Sequence, residues 1–232
     1  NEPREGILNT FTKEHSAGYH GNSLIDLAFN MRKKIKDTKE IKKINIFTKE
    51  YTHIVMGSGS NDKEKYSPEA SRETLDHSAM YIFAVALEDG EWHHEKSYAE
   101  DRKKRKETID LWNKIETFES DEWNKKYYDV SDPLQKAQGA KVEIILNNND
   151  KITDQLDYAN AHPKGKTPFV RENYINKMKK LFKNIVEEKE EERFLNLIDN
   201  LSKLNQDEVK RLNVNCKEGF LNLDNNKIEG IY

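Results

Sequence analysis

The sequence predicts an α+β fold in which a few strands and several helices share one domain. Two strand patterns, at residues 41–49 and 140–159, indicate a small, mostly antiparallel sheet. Helical patterns lie between these strands but do not alternate with them as βαβ repeats. After residues 162–168 the pattern becomes purely helical, which indicates a separate group of helices in the last part of the chain.

The first two elements follow from hydrophobic spacing. Residues 22–36 predict a helix because apolar side chains recur at helical spacing, and Asn22 or Ser23 is available to cap it. Residues 41–49, IKKINIFTK, predict a half-buried strand because Ile44 and Ile46 alternate with more polar neighbours.

The next helix is predicted to begin at Ser67-Pro68-Glu69, since proline suits the first position of a helix. Its centre at residues 79–87, AMYIFAVAL, is apolar on nearly every side, which is typical of a buried core helix. Gly90 is expected to end this helix. A polar connector (91–106), a short helix (107–115), a strand (116–119) and a β-hairpin across an Asn/Asp turn (140–159) follow.

Residues 169–212 predict two or three helices. The acidic run EEKEEE at residues 187–192 is expected to be a solvated helix face. So few helices cannot bury a sizeable core alone, so we expect them to pack on another body.

The composition excludes several classes of protein. The 39 Lys and Arg nearly balance the 42 Asp and Glu, whereas general nucleic-acid binding needs a basic surface. The single cysteine, Cys216, rules out an internal disulfide, is expected to be structural and fits a reducing compartment. No stretch approaches the roughly 20 apolar residues of a membrane helix, and no signal-peptide pattern is present. A cytoplasmic location is therefore predicted.

His20 is the first candidate catalytic residue. It lies just before the predicted first helix, where the positive end of the helix dipole attracts anions and disfavours a protonated imidazole. A general base must be unprotonated, so this position suits acid–base chemistry. The alternative is a histidine that packs against the start of the helix and has no chemical role.

His77 and Tyr81 are the second pair of candidates. They are four residues apart on the predicted core helix and would share one face. Because a buried hydroxyl needs a partner, they either bond to other groups of the protein or face a polar pocket. In the loop before them, Lys65 and Arg72 are candidates for binding ligand carboxylates, the alternative being an ordinary surface loop.

Neither a metal site nor a nucleotide site is predicted. The glycine-containing loop at residues 57–65 has neither a GxGxxG nor a GxxxxGK[S/T] arrangement. His93 and His94 are adjacent, so on a regular helix or strand they would point in different directions and make a poor pair of ligands.

Longer runs of residues resemble a known family. The run SGSNDKEKYSPEASRETLDHSAMYIFAVALEDGEWHHEKSYAEDR (58–102) closely resembles the MmgE/PrpD family. The similarity extends from ILNTFTKEHSAGYHG, through LWNKIE, to GAKVEI and AHPKGKTPF, and it covers most of residues 7–182. Family members have a large all-helical domain and a smaller α+β lid, with the active site between them. The resemblance implies that residues 1–165 form the lid, that residues 166–232 return to the helical domain, and that this domain precedes Asn1.

The resemblance also implies roles for individual residues. His20 would act as an acid–base group and Tyr81 as a proton donor or hydroxyl anchor, with His77 close by, and Lys13 matches a substrate-binding lysine of the family. The remaining groups would come from the helical domain, through which the complete protein is expected to form a homodimer. A fragment without that domain is expected to be inactive.

The implied reaction is the dehydration of 2-methylcitrate to 2-methyl-aconitate in propionate breakdown (the methylcitrate cycle). It would need no metal or other cofactor, and its partner would be a small tricarboxylate rather than nucleic acid or a membrane. Two alternatives remain: another tricarboxylate enzyme of the family, such as a cis-aconitate decarboxylase, and a non-catalytic interaction module.

Overall fold

The computed structural model describes residue 10 and residues 12–220. The chain divides into two compact units, Asn1–Phe169 and Val170–Tyr232, which we call unit 1 and unit 2. The assignment of residues 1–165 as a lid and of residues 166–232 as returning helices stays a prediction.

Unit 1 contains a four-stranded mixed sheet. Its strands are β1 (Ile41–Thr48), β2 (Ile115–Glu119), β3 (Ala140–Leu146) and β4 (Lys151–Leu156), in the order β2-β1-β3-β4. β1 pairs with β2 in parallel and with β3 antiparallel, and β3 and β4 form the antiparallel hairpin. The predicted α+β class, the strand at 41–49 and the hairpin are confirmed.

Helix α1 (Tyr19–Arg32) begins earlier than its sequence pattern indicated. The two expected capping residues lie inside the helix, because their side chains make other bonds. Asn22 accepts the backbone N–H of His15, and Ser23 donates to the carbonyl of Gln138. His20 therefore lies in the first turn of α1 rather than ahead of it.

The prediction that the core helix begins at Pro68 was wrong. A short helix, α3 (Arg72–Leu75), and the core helix α4 (Ala79–Asp89) are separated by a break. The hydroxyls of Ser71 and Ser78 cap the two helices by accepting backbone N–H groups, and this local bonding sets the two starts. Gly90 ends α4 in the left-handed conformation, as expected.

The core of unit 1 lies between α1, α4 and one face of the sheet. Every residue of α4 from Ala79 to Leu87 is buried, which confirms the buried core helix. The strands contribute alternate residues to this core, led by Ile44, Ile46 and Ile144. The remaining helices of unit 1 are α2 (Glu50–Val55), α5 (Glu100–Lys103), α6 (Lys106–Trp112) and α7 (Asp121–Tyr128).

Unit 2 is helical over its described residues. It contains α8 (Arg171–Phe182), α9 (Glu188–Asp199) and the short α10 (Gln206–Val209), and none of these three helices has a buried residue. Cys216 is half-buried, and its backbone pairs with that of Val186. Among the helices of residues 12–220, none combines the length and the apolar character needed to cross a membrane.

Candidate functional site

His20 is held at one ring nitrogen. Its Nδ1 lies 2.9 Å from the amine nitrogen of Lys49, and its ring packs against the ring of Tyr51, with 5.1 Å between the centroids. No other residue that the structure describes makes a hydrogen bond to Nε2 of His20. The imidazole is thus fixed through Nδ1.

Lys49 follows β1 directly and precedes α2, and only 1% of it is exposed. Besides His20, its amine contacts the side-chain oxygen of Gln138 at 3.4 Å and lies 4.4 Å from the ring centroid of Tyr127. A charged amine in such a place loses most of its hydration, and an imidazole, an amide and an aromatic face replace it only in part.

The partners of Lys49 differ from those of the other buried basic side chains. Four lysine and arginine residues are buried in the described part of the chain: Lys49, Lys65, Arg102 and Lys103. Three of the four lie within ion-pair distance of a carboxylate. Lys49 is the exception, since its described contacts are neutral groups and an imidazole.

Two backbone contacts hold the segments that carry this pair. The hydroxyl of Ser23 donates to the carbonyl of Gln138 at 2.8 Å, and that of Thr48 donates to the carbonyl of Gly139 at 3.0 Å. A Cβ atom at Gly139 would lie 1.7 Å from the carbonyl oxygen of Leu156, so only glycine fits there. These bonds place residues 20, 49 and 138 side by side although they are far apart in sequence.

Burial and charge determine the protonation of the pair. Burial, the nearby charge of Lys49 and that of His77 together lower the pKa of His20 to about 3. Burial also lowers the pKa of Lys49 to about 7. His20 is therefore a neutral imidazole at neutral pH, and Lys49 can be either charged or neutral there.

His77 lies beside the start of α1. The backbone N–H of Gly18 donates to the carbonyl of Asp76 at 2.8 Å, which joins the segment before α1 to the segment before α4. The His77 side chain is 52% exposed, and its Nδ1 contacts the carboxylate of Asp76. This backbone bond places the segment that carries His77 next to the start of α1.

The predicted substrate-binding residues differ in their surroundings. Lys65 is buried, and its amine donates to the carbonyl of His77 at 3.1 Å.

Lys13 is exposed and donates to the carbonyl of Ala17 at 2.9 Å. Arg72 is also exposed, and its guanidinium lies 5.0 Å from the ring centroid of Tyr98, whose hydroxyl bonds the carbonyl of Ser16. Lys13 therefore contacts the segment that leads into α1 directly, whereas Arg72 reaches it only through the ring of Tyr98.

The sequence of residues 15–203 matches the MmgE/PrpD C-terminal domain. The chain belongs to the MmgE/PrpD family. Members of the MmgE/PrpD family are generally hydro-lyases or related enzymes. The matched residues include His20, Lys49 and all the other candidates above except Lys13.

Tyr81 has partners of its own in the described part of this MmgE/PrpD domain. It is 0% exposed, its hydroxyl donates to the carbonyl of Ser97 at 2.6 Å, and its ring packs on Trp112. Burial raises the pKa of its hydroxyl well above the usual value. The expectation that His77 and Tyr81 share a helix face was wrong, because His77 precedes the first residue of α4. A catalytic role for Tyr81 stays a prediction, and it would require the bond to Ser97 to open.

The pair His93–His94 also departs from the sequence argument. It lies in a turn rather than in a helix or strand, so the two rings stack with centroids 4.4 Å apart and Glu95 is close by. However, Nδ1 of His93 accepts the backbone N–H groups of Glu95 and Lys96, which places the proton of a neutral ring on Nε2. That nitrogen would have to lose its proton to bind a metal, so the cluster is not arranged as a metal site.

Lys49 is the residue of this site that sequence reasoning missed. It ends the predicted strand IKKINIFTK, where a terminal lysine normally indicates solvent. Thr48 and Lys49 are both buried, so the strict alternation of β1 stops just there. The bond from Lys49 to His20 spans 29 residues of sequence, and that to Gln138 spans 89. A local sequence pattern cannot predict contacts between residues so far apart.

Proposed function

We propose that the chain supplies His20 as an acid–base group to a 2-methylcitrate dehydratase, a cytoplasmic hydro-lyase of the methylcitrate cycle. The observation that supports this most is the state of the imidazole: it is neutral, held at Nδ1 and unbonded at Nε2 within the described residues. Removing water from a hydroxy acid requires a base for the proton next to a carboxylate, and a neutral imidazole with a free nitrogen can take that role.

The basic residues around the start of α1 are consistent with a tricarboxylate substrate. Lys13 and Arg72 are exposed cations. Lys13 contacts the segment before α1, and Arg72 lies over the ring of Tyr98, whose hydroxyl bonds that segment, so both are candidates for a substrate carboxylate. Lys65 is a weaker candidate because its amine is buried and bonded to the carbonyl of His77. On this proposal no metal or other cofactor takes part, and a helical domain supplies the remaining groups and the contact between two subunits.

The test is an assay of the complete enzyme with three substrates: 2-methylcitrate, citrate and cis-aconitate. We expect 2-methylcitrate to be dehydrated with the highest kcat/KM, and a chain of residues 1–232 alone to show no turnover. Decarboxylation of cis-aconitate without dehydration of 2-methylcitrate would contradict the proposal and favour the decarboxylase alternative.

The role of His20 is tested in the same assay. We expect His20→Gln to lower kcat by roughly 10²–10⁴-fold, the usual contribution of a general acid or base. The matched control is His94→Gln, which removes an imidazole far along the sequence and should leave kcat within about twofold. Equal kcat values for the two variants would exclude His20 from the chemistry.

A further inference from the structure

The contact between Lys49 and His20 restricts where the imidazole can carry its proton. The amine of Lys49 faces Nδ1 of His20 at 2.9 Å and has few other polar partners in the described structure. A charged amine has three N–H donors and no acceptor, whereas a neutral amine also has a lone pair. While Lys49 is charged it can only donate to Nδ1, and the imidazole proton must then lie on Nε2.

We propose that Lys49 is a positioning residue for His20, and that gain or loss of a proton by its amine determines which ring nitrogen of His20 carries the imidazole proton. The dependence of the tautomer on the charge of Lys49 follows from the 2.9 Å contact between its amine and Nδ1 of His20. Its consequence for catalysis rests on the function proposed above. With Lys49 neutral, Nδ1–H of His20 can donate to the amine, and Nε2 then presents a lone pair. With Lys49 charged, Nε2 presents an N–H group and cannot act as a base.

The described contacts of the Lys49–His20 pair include no carboxylate. His20 faces the amine from α1, Tyr127 faces it from α7, and Gln138 faces it from the segment before β3. Lys136 lies over the same Tyr127 ring, 4.9 Å from its centroid, and Tyr51 packs on His20 from α2.

These neighbours are basic, aromatic or neutral, and His77 adds a further basic group near His20. Burial lowers the pKa of Lys49 to about 7, and none of these neighbours is an anion that would hold a charge on the amine. His20 itself stays neutral over the same range because its pKa is about 3. A change of pH near neutrality therefore changes the tautomer of His20 and not its charge.

The consequence for an elimination is a base that is active only when Lys49 is neutral. The proton of the substrate C–H bond would pass to Nε2, and the electron pair of that bond would form the new double bond. The hydroxyl would leave as water after taking a proton from an acid group of the helical domain. The imidazolium that forms would donate from Nδ1 to the uncharged amine. The same amine thus selects the reactive tautomer and stabilises the cation produced by proton transfer.

The direct test is nitrogen-15 NMR of histidine-labelled chain, which distinguishes Nδ1–H from Nε2–H by the shifts of the two ring nitrogens. Between about pH 5.5 and about pH 8.5 we expect His20 to change from the Nε2–H to the Nδ1–H tautomer without passing through the imidazolium. Lys49→Arg keeps a permanent cation that can only donate, so it should hold the Nε2–H form throughout.

Lys136→Met is the matched control, because it removes the second lysine from the Tyr127 ring and leaves the bond to His20 in place. It should retain the transition. A single tautomer at all pH values in the unsubstituted chain, or the same transition in Lys49→Arg, would overturn the proposal.

The catalytic part is read from the pH dependence of the complete enzyme. Lys49→Arg should lower kcat about tenfold or more at about pH 8, with KM changed by less than about threefold, because the substrate still binds. If the NMR transition is present but Lys49→Arg keeps full kcat, the tautomer proposal holds and the role of His20 as the base fails. If the transition does not occur, the tautomer proposal fails whatever the activity.

Discussion

Arg102 and Lys49 are both buried cations of unit 1, with 4% and 1% of their surfaces exposed. Arg102 donates to Asp89 at 2.9 Å and to Glu88 at 2.7 Å, and it also bonds the hydroxyl of Thr108. Burial alone would lower its pKa, but the bonds to the two carboxylates raise it. Lys49 has an imidazole where Arg102 has carboxylates, and its pKa is lowered. A buried cation that is paired with carboxylates keeps its charge and stabilises the fold. A buried cation without such partners can lose its proton near neutral pH.

The largest change in the free energy of unfolding is expected from removing Arg102 from its two carboxylate partners. Arg102→Met removes the guanidinium and leaves Glu88 and Asp89 facing each other without their cation. Removing one partner from a buried ion pair costs about 3–5 kcal/mol of the free energy of unfolding. The measurement is urea-induced unfolding at neutral pH.

Lys106→Met is the control for this experiment. Lys106 pairs with Asp110 one turn along an exposed helix face, where solvent screens the pair, so no measurable loss of stability is expected. If the two substitutions cost the same, the difference drawn between matched and exposed charges is wrong.

Removing Lys49, the buried cation without a carboxylate partner, should instead raise the free energy of unfolding. The pKa of Lys49 falls from 10.5 to about 7 on folding, so below pH 7 the folded protein carries a charged amine that its surroundings disfavour. A tenfold change in the acid dissociation constant corresponds to about 1.4 kcal/mol. After allowing for the lost hydrogen bond, Lys49→Met should stabilise the fold at pH 7 by on the order of 3 kcal/mol.

The dependence on pH follows from proton counting. Between pH 7 and pH 10.5 the unfolded chain still holds the lysine proton while the folded chain has released it. The stability of the unsubstituted protein therefore rises with pH in this window, and the advantage of Lys49→Met should shrink from about pH 7 to about pH 9. Paired thermal melts at these two pH values check it, and an advantage that is constant or grows with pH contradicts it.

The parts of the molecule that the sequence predicts well are those with a local cause. Alternation in β1 and the Asn/Asp turn of the hairpin are properties of a few adjacent residues, and both elements were found as expected. The start of the core helix was misplaced because Pro68 competes with two serine caps further along, and the cap hydrogen bonds decide. Lys49 could not be found, because its burial depends on a contact with Gln138 that no spacing rule reports.

The smallest expected change in the free energy of unfolding comes from removing the Tyr81 hydroxyl. This substitution tests whether that hydroxyl, like the guanidinium of Arg102, has a purely structural hydrogen bond. Tyr81→Phe removes the hydroxyl and leaves the carbonyl of Ser97 unpaired, which should cost about 1–2 kcal/mol. Tyr98→Phe is a matched control, since that hydroxyl also bonds a main-chain carbonyl, that of Ser16, at 2.7 Å. We expect similar losses of stability in thermal melts for the two variants, because each leaves one main-chain carbonyl without its hydroxyl donor. A fall of about 100-fold or more in kcat for Tyr81→Phe alone would show that the hydroxyl leaves Ser97 during turnover, and would place Tyr81 with His20 instead.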